Sequence, residues 1–164
     1  MKYKFIKYCT RVQCKDLHVN DYVIVDERPT KIKSIDVTNN HDPLIVPLVC
    51  IDIFTNKEYI INVLTEEVIY TPYITTNEYV VMDIIFENDH DLQGQIKVIG
   101  LYGQKVFPIP MLCDTDLSLA VYIIDALHDI KTNNLNSNLY VTTIFAFGEE
   151  HIKKMHIETI DDPF

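Results

Sequence analysis

From Tyr22 to Ile157 the chain is a succession of short β-branched and aromatic runs closed by turn residues, broken once by a segment of helical period. Runs of this length and period fit half-buried strands, and tight turns between them fit small barrels rather than long open sheets. Expected strands are Tyr22–Val25, Lys31–Val37, Ile45–Phe54, Glu58–Ile61 and Val68–Tyr70, with turns at Asp26–Pro29 and Thr55–Lys57. A second set follows at Tyr79–Phe86, Gln95–Ile99, Gln104–Ile109, Leu139–Phe147 and Ile152–Ile157. The helical segment is Asp114–Ile130, with Asp114 or Thr115 as the cap. Its polar stripe is narrow (Ser118, Tyr122, Asp125, Asp129) and apolar residues cover the rest, so a largely buried or shared helix is expected.

Five strands with one helix after the third is the topology of an oligonucleotide/oligosaccharide-binding (OB) barrel. The expected fold is therefore all-β with one helix, a small barrel over 1–71 followed by an OB-fold over 72–164. The boundary is placed at Thr71-Pro72-Tyr73, because proline cannot donate to a sheet and the charge balance changes there.

Charge is polarised along the chain. Residues 1–33 hold 8 basic and 4 acidic side chains, and residues 72–164 hold 5 and 14, so the two stretches carry +4 and -9. A free-standing nucleic-acid binder is more often basic throughout, so any RNA contact belongs to the first half. There Lys2, Lys4, Lys7, Arg11 and Lys15 interleave with Tyr3, Phe5 and Tyr8, a pattern that binds RNA by charge and stacking and equally fits a solvated arm. Cys9, Cys14, Cys50 and Cys113 show no Cys-x-x-Cys spacing and sit in or beside apolar stretches, so reduced, partly buried thiols are expected rather than zinc or disulfides. Met1–Tyr8 has no long apolar run and no later segment approaches a membrane span, which places the chain in the cytoplasm by expectation.

Candidate chemical sites are sparse. His41 beside Asp42 reads as a polar turn, and Asp89-His90-Asp91 reads as a solvated hairpin tip rather than a metal site, since adjacent residues point in different directions. No glycine-rich phosphate loop and no nucleophile–histidine spacing occurs. The chain is expected to be no enzyme, with no cofactor, no metal and no small-molecule substrate.

The segment Cys50-Ile51-Asp52-Ile53-Phe54-Thr55-Asn56-Lys57-Glu58-Tyr59 resembles the signature strand of the eukaryotic initiation factor 5A family. Asn20–Ile32 is similar to that family's barrel hairpin, with Thr30 standing where the family has a cysteine, and Asp83, Gly94–Gln104 and the Asp114–Ile130 helix fit its OB domain more loosely. The resemblance implies an SH3-like barrel followed by an OB domain, and a factor that docks near the ribosomal E site. In that family a lysine on the loop before the signature strand is converted to hypusine. Here the corresponding tip is Asn39-Asn40-His41-Asp42-Pro43, and no lysine lies between Lys33 and Lys57.

The resemblance and this absence together imply a ribosome-binding protein without hypusine that occupies or regulates the E-site region. Its partners would be ribosomal RNA and the P-site tRNA region. Arg28, Lys31 and Lys33 would join Lys2, Lys4, Lys7, Arg11 and Lys15 as phosphate contacts. The alternative is a self-assembling structural protein of the same fold, as the Woronin-body core protein is, favoured by the apolar run Leu44–Val49 where the family is basic.

Overall fold

The computed structural model describes residues 9–36, 44–86, 94–108 and 114–160. These form eleven strands and one α-helix, grouped in two compact units that divide after Ile74. The first unit also takes the Ala146–Glu149 turn.

In the first unit β2 (Tyr22–Val25), β3 (Arg28–Ile35), β4 (Ile45–Asp52) and β5 (Glu58–Leu64) make a four-stranded antiparallel sheet in that order. β1 (Cys9–Gln13) pairs with β6 (Val68–Pro72) in a separate two-stranded sheet. Alternation along the strands turns Val23, Val25, Ile32, Leu48, Cys50 and Val63 inward, where they pack with Cys14, Leu17 and Ile69. Cys9, Cys14 and Cys50 are buried cysteines outside any disulfide. Thr30 is also fully buried, and its hydroxyl donates to the Val23 carbonyl at 3.0 Å. That bond lets a hydroxyl occupy a core position that would otherwise charge it a desolvation cost.

The β2–β3 turn is tighter than the expected Asp26–Pro29. Only Asp26 and Glu27 lie outside the pairing, both at positive φ (48° and 63°), as a two-residue hairpin of the strand-matching hand requires. Arg28 and Pro29 already face Val25 and Ile24. Pro29 is tolerated because β4 pairing ends at Thr30–Asp52, so no ladder bond needs its missing N–H. The consecutive polar residues Lys33 and Ser34 mark a bulge. The register passes from Ile32–Cys50 to Ser34–Val49, and Lys33 stands unopposed. Strand β1 went unnoticed in the sequence, and β4 is shorter than expected, since Ile53 and Phe54 belong to the turn after it.

The second unit contains β7 (Ile74–Phe86), β8 (Gly94–Gly100), β9 (Gly103–Pro108), α1 (Asp114–Thr132), β10 (Ser137–Ala146) and β11 (Glu149–Thr159). Its sheet order is β11-β10-β7-β8-β9, with the helix after the third strand as expected. The helix is more one-sided than its composition implies. Ala120, Ile123 and Leu127 are buried against Tyr79, Val81, Ile96, Val98, Phe107, Leu139, Val141 and Ile152, while Val121 and Tyr122 are exposed. One small sheet has a single face to offer, so only one stripe of the helix is covered. The helix ends in a left-handed Asn134 (φ 47°), with the Leu135 amide returning to the Ile130 carbonyl at 3.1 Å.

Candidate functional site

The loop singled out in the sequence, Asn39–Pro43, lies outside the described residues, as do Lys2, Lys4, Lys7, Cys113 and the Asp89-His90-Asp91 tip. The base of that loop is described. The Asp36 amide donates to the Pro47 carbonyl at 3.0 Å, and the Thr65 amide and hydroxyl both donate to the Leu44 carbonyl, at 2.8 and 3.1 Å. The strands that carry the loop are thus clamped to their own sheet and to the β5–β6 turn.

At the opposite end of β4 the signature segment has a physical purpose. Asp52 is 1% exposed. Its Oδ1 accepts the Phe54 and Thr55 amides at 2.7 and 3.0 Å, and its Oδ2 accepts Arg28 Nε at 2.8 Å. The carboxylate thereby caps the turn from β4 to β5, turns Phe54 fully inward and fastens the β2–β3 turn beside it. Burial acts most strongly on Asp52 and pushes its pKa up. The bonds from Arg28, Phe54 and Thr55 together outweigh that and hold it below the ordinary carboxylate value. Arg28 also pairs with Glu149, which belongs to the same compact unit, and its guanidinium lies 5.9 Å from the Phe54 ring centroid. Its pKa is raised, chiefly by the Asp52 bond.

The described basic candidates fall into two sets. Arg28, Lys31 and Lys33 share β3, whereas Arg11 is on β1 and Lys15 in the short 3-10 turn after it. Arg11 lies over Tyr70 at 5.5 Å and Lys31 over its cross-strand neighbour Tyr22 at 6.0 Å. Lys15 pairs with Glu66 at 3.3 Å and Lys33 with Glu58 at 3.1 Å. Both of those pairs are solvated, worth on the order of 0–1 kcal/mol, so a phosphate could displace the carboxylate cheaply. Arg28 is different: its partner Asp52 is buried, and releasing it would strand a buried charge. The geometry thus makes Arg11, Lys15, Lys31 and Lys33 available as surface cations and Arg28 a structural one.

Sequence reading missed a second polar cluster, in the other unit. Glu150 at the start of β11, its side chain 12% exposed, accepts four donors. Asn77 Nδ2, Tyr79 Oη and Thr143 Oγ1 reach its Oε1 at 2.9, 2.9 and 2.7 Å, and Lys105 Nζ reaches Oε2 at 2.8 Å. Lys105 Nζ also donates to Tyr79 Oη at 2.8 Å. Burial, the largest influence on Glu150, raises its pKa, and the donors reverse that and leave it lowered. A carboxylate so fully satisfied is a lock among β7, β9, β10 and β11 rather than an acid or base, since catalysis needs a proton site near neutrality. No short-range pattern in the sequence reveals it, because its members are gathered from four strands.

Among the described residues no three His, Cys, Asp or Glu side chains come together to hold a metal ion. No described helix is long and apolar enough to cross a membrane.

Comparison with known proteins identifies this architecture. No family model matches the sequence, and no curated protein matches it either. Among solved structures, a translation initiation factor eIF-5A family protein from Naegleria fowleri is similar over 90% of this chain and 98% of its own, at a TM-score of 0.71 and 23% identity. Eukaryotic translation initiation factor 5A from Methanococcus jannaschii is similar over 90% of this chain and 97% of its own, at 0.61 and 22%. The chain has the two-domain fold of those proteins, mainly β with one helix.

Proposed function

We propose that this chain is a ribosome-binding protein of initiation factor 5A type that works without hypusine, occupying or regulating the E-site region. The observation that carries the reading is the pairing of a fold shared along nearly the whole length with a stretch from Ser34 to Asn56 that contains no lysine. Arg11, Lys15, Lys31 and Lys33 supply phosphate contacts from the first unit, and the acidic second half adds none of comparable density. A protein lacking the reaching cation holds the site without assisting chemistry there.

Co-sedimentation with purified ribosomes across a salt series tests it. Binding that falls steeply with salt, and that is weaker at low salt and less steeply salt-dependent for Lys31→Glu with Lys33→Glu, supports the reading, because each lost phosphate contact reduces the salt slope. Absence of binding at low salt defeats it.

One observation favours self-assembly as a second reading. On the outward face of β4 and the edge strand β5, Ile45, Ile60 and Leu64 are 40%, 71% and 54% exposed, Ile45 stands opposite Leu64, and Leu44 just before β4 is 60% exposed. An apolar edge of this kind is a template for pairing with another strand. Sedimentation velocity over a concentration series decides. Mass growth abolished by Ile60→Lys supports assembly, and a constant monomer excludes it.

A further inference from the structure

The second unit carries an open groove of about 550 Å³, lined in part by Asn77 and Tyr79, two of the residues that donate to Glu150. Residues Tyr79, Val81, Val98, Leu139 and Val141 point into the core, so their neighbours Glu78, Val80, Ile99 and Tyr140 take the outer face of the sheet. Leu101 and Tyr102 join the lining from the turn between β8 and β9, and they are 97% and 100% exposed. Gly100 sits at the root of that turn. A side chain there would meet the Tyr79 ring at 2.6 Å, so the groove wall rests directly on the residue that anchors Glu150.

The Tyr140 side of the groove is held in place, while Leu101 and Tyr102 stand out into solvent. Tyr140 stacks flat on His156, with ring centroids 5.1 Å apart and planes 7° from parallel. His156 in turn lies 3.9 Å from the Glu78 carboxylate, longer than a hydrogen bond, and that carboxylate is half exposed. The groove therefore offers an apolar floor (Val80, Ile99), two tyrosines and an anionic end.

We propose that this groove binds an arginine or lysine side chain of an extended, basic peptide segment in a partner protein. An aliphatic stem covers the floor and a cationic head is drawn to Glu78 and the tyrosine rings, which is how long basic side chains bury their stems while keeping the charge satisfied. Charge complementarity favours this occupant over a nucleic acid. Residues 72–164 carry a net charge of -9, which attracts a basic chain and repels a polyanion, although tyrosines alone would suit base stacking. The inference goes beyond the proposed function and stands even if ribosome binding fails, since it concerns the second unit and a protein ligand.

Fluorescence anisotropy on the full chain tests it, with a short labelled peptide of alternating arginine and serine as the probe. Glu78→Gln and Tyr102→Ala should each weaken binding about 2- to 5-fold, the size of one exposed cation–π or ionic contact, and about 4- to 25-fold together. Tyr102 is fully exposed, so its truncation leaves the fold intact, and circular dichroism checks both variants. Asp125→Asn, an equal charge change on the exposed side of α1, should leave affinity unchanged. Equal loss for Asp125→Asn and Glu78→Gln would mean diffuse attraction and overturn the site. So would failure of the peptide to bind, or tighter binding of a single-stranded oligonucleotide than of the peptide.

Discussion

Replacing Asp52 by Asn removes one negative charge while keeping the shape of the side chain. The amide oxygen can still accept the Phe54 and Thr55 amides, which now reach it at 2.7 and 3.0 Å. The new NH2 group, however, faces Arg28 Nε, where Oδ2 now accepts at 2.8 Å, and two donors cannot bond each other. A charge-assisted hydrogen bond is worth about 1.5–3 kcal/mol, and stranding one partner of a buried pair costs about 3–5 kcal/mol. Asp52 is 1% exposed and the Arg28 side chain 27%, so water relieves part of the penalty at the arginine. A loss of about 2–3 kcal/mol is expected for Asp52→Asn. For Asp52→Ala, which abandons the turn amides as well, about 4 kcal/mol is expected.

Urea titration followed by far-UV circular dichroism, with amide exchange at Thr55 as a local probe of the first unit, reads both numbers. A double-mutant cycle with Arg28→Gln should show a coupling of at least about 1 kcal/mol, because the two side chains share one bond. If Asp52→Asn costs less than about 0.5 kcal/mol and the cycle is additive, the ion pair does not organise this turn and the reasoning is refuted.

Further outcomes follow from the same geometry. Gly100→Ala should destabilise the second unit by about 1–3 kcal/mol, since the added methyl must displace the buried Tyr79 ring. A cost below about 0.5 kcal/mol in the same titration would show that the ring yields freely. Asp26→Asn with Glu27→Gly should stabilise the β2–β3 hairpin by about 1 kcal/mol, because both positions hold positive φ, which the native side chains adopt at a cost. A lowered melting temperature would contradict this. Asp52 and Glu150 have folded pKa values below their unfolded ones. Their contribution is therefore full above the ordinary carboxylate pKa of about 4 and is lost as pH falls below it through the depressed folded values. Stability measured from pH 7 to 2 should decline over that acid window, and less steeply in Asp52→Asn. An unchanged slope in the variant would count against the Asp52 assignment.

The order of strands, the single helix and the two-part architecture were legible because each depends on local period and turn chemistry. Strands β2 through β11 match the expected ones within about three residues at each end, except that β7 begins at Ile74, five residues before the expected Tyr79, and Thr30 stood out only as the residue where the resembling family has a cysteine. Strand β1 was not legible. Its residues Thr10, Arg11 and Gln13 are polar, and only pairing with β6, 55 to 63 positions away, makes it a strand. Nothing in the local pattern of Asn39–Pro43 sets it apart from any polar turn; only the family resemblance points to it.

What the sequence determined by itself was what neighbours along the chain decide: strand alternation, the turn at Thr55-Asn56-Lys57, the helix, the acidic second half and the stretch without lysine. What only the tertiary structure decided was the fate of each charge. Nothing local distinguishes Arg28 from Lys33, yet one is bound to a buried carboxylate and the other to a solvated one. Nor does anything local gather Asn77, Tyr79, Lys105 and Thr143 around Glu150. The physical reason is that electrostatic cost depends on burial and on partners brought from distant strands, and both exist only once the sheets have formed.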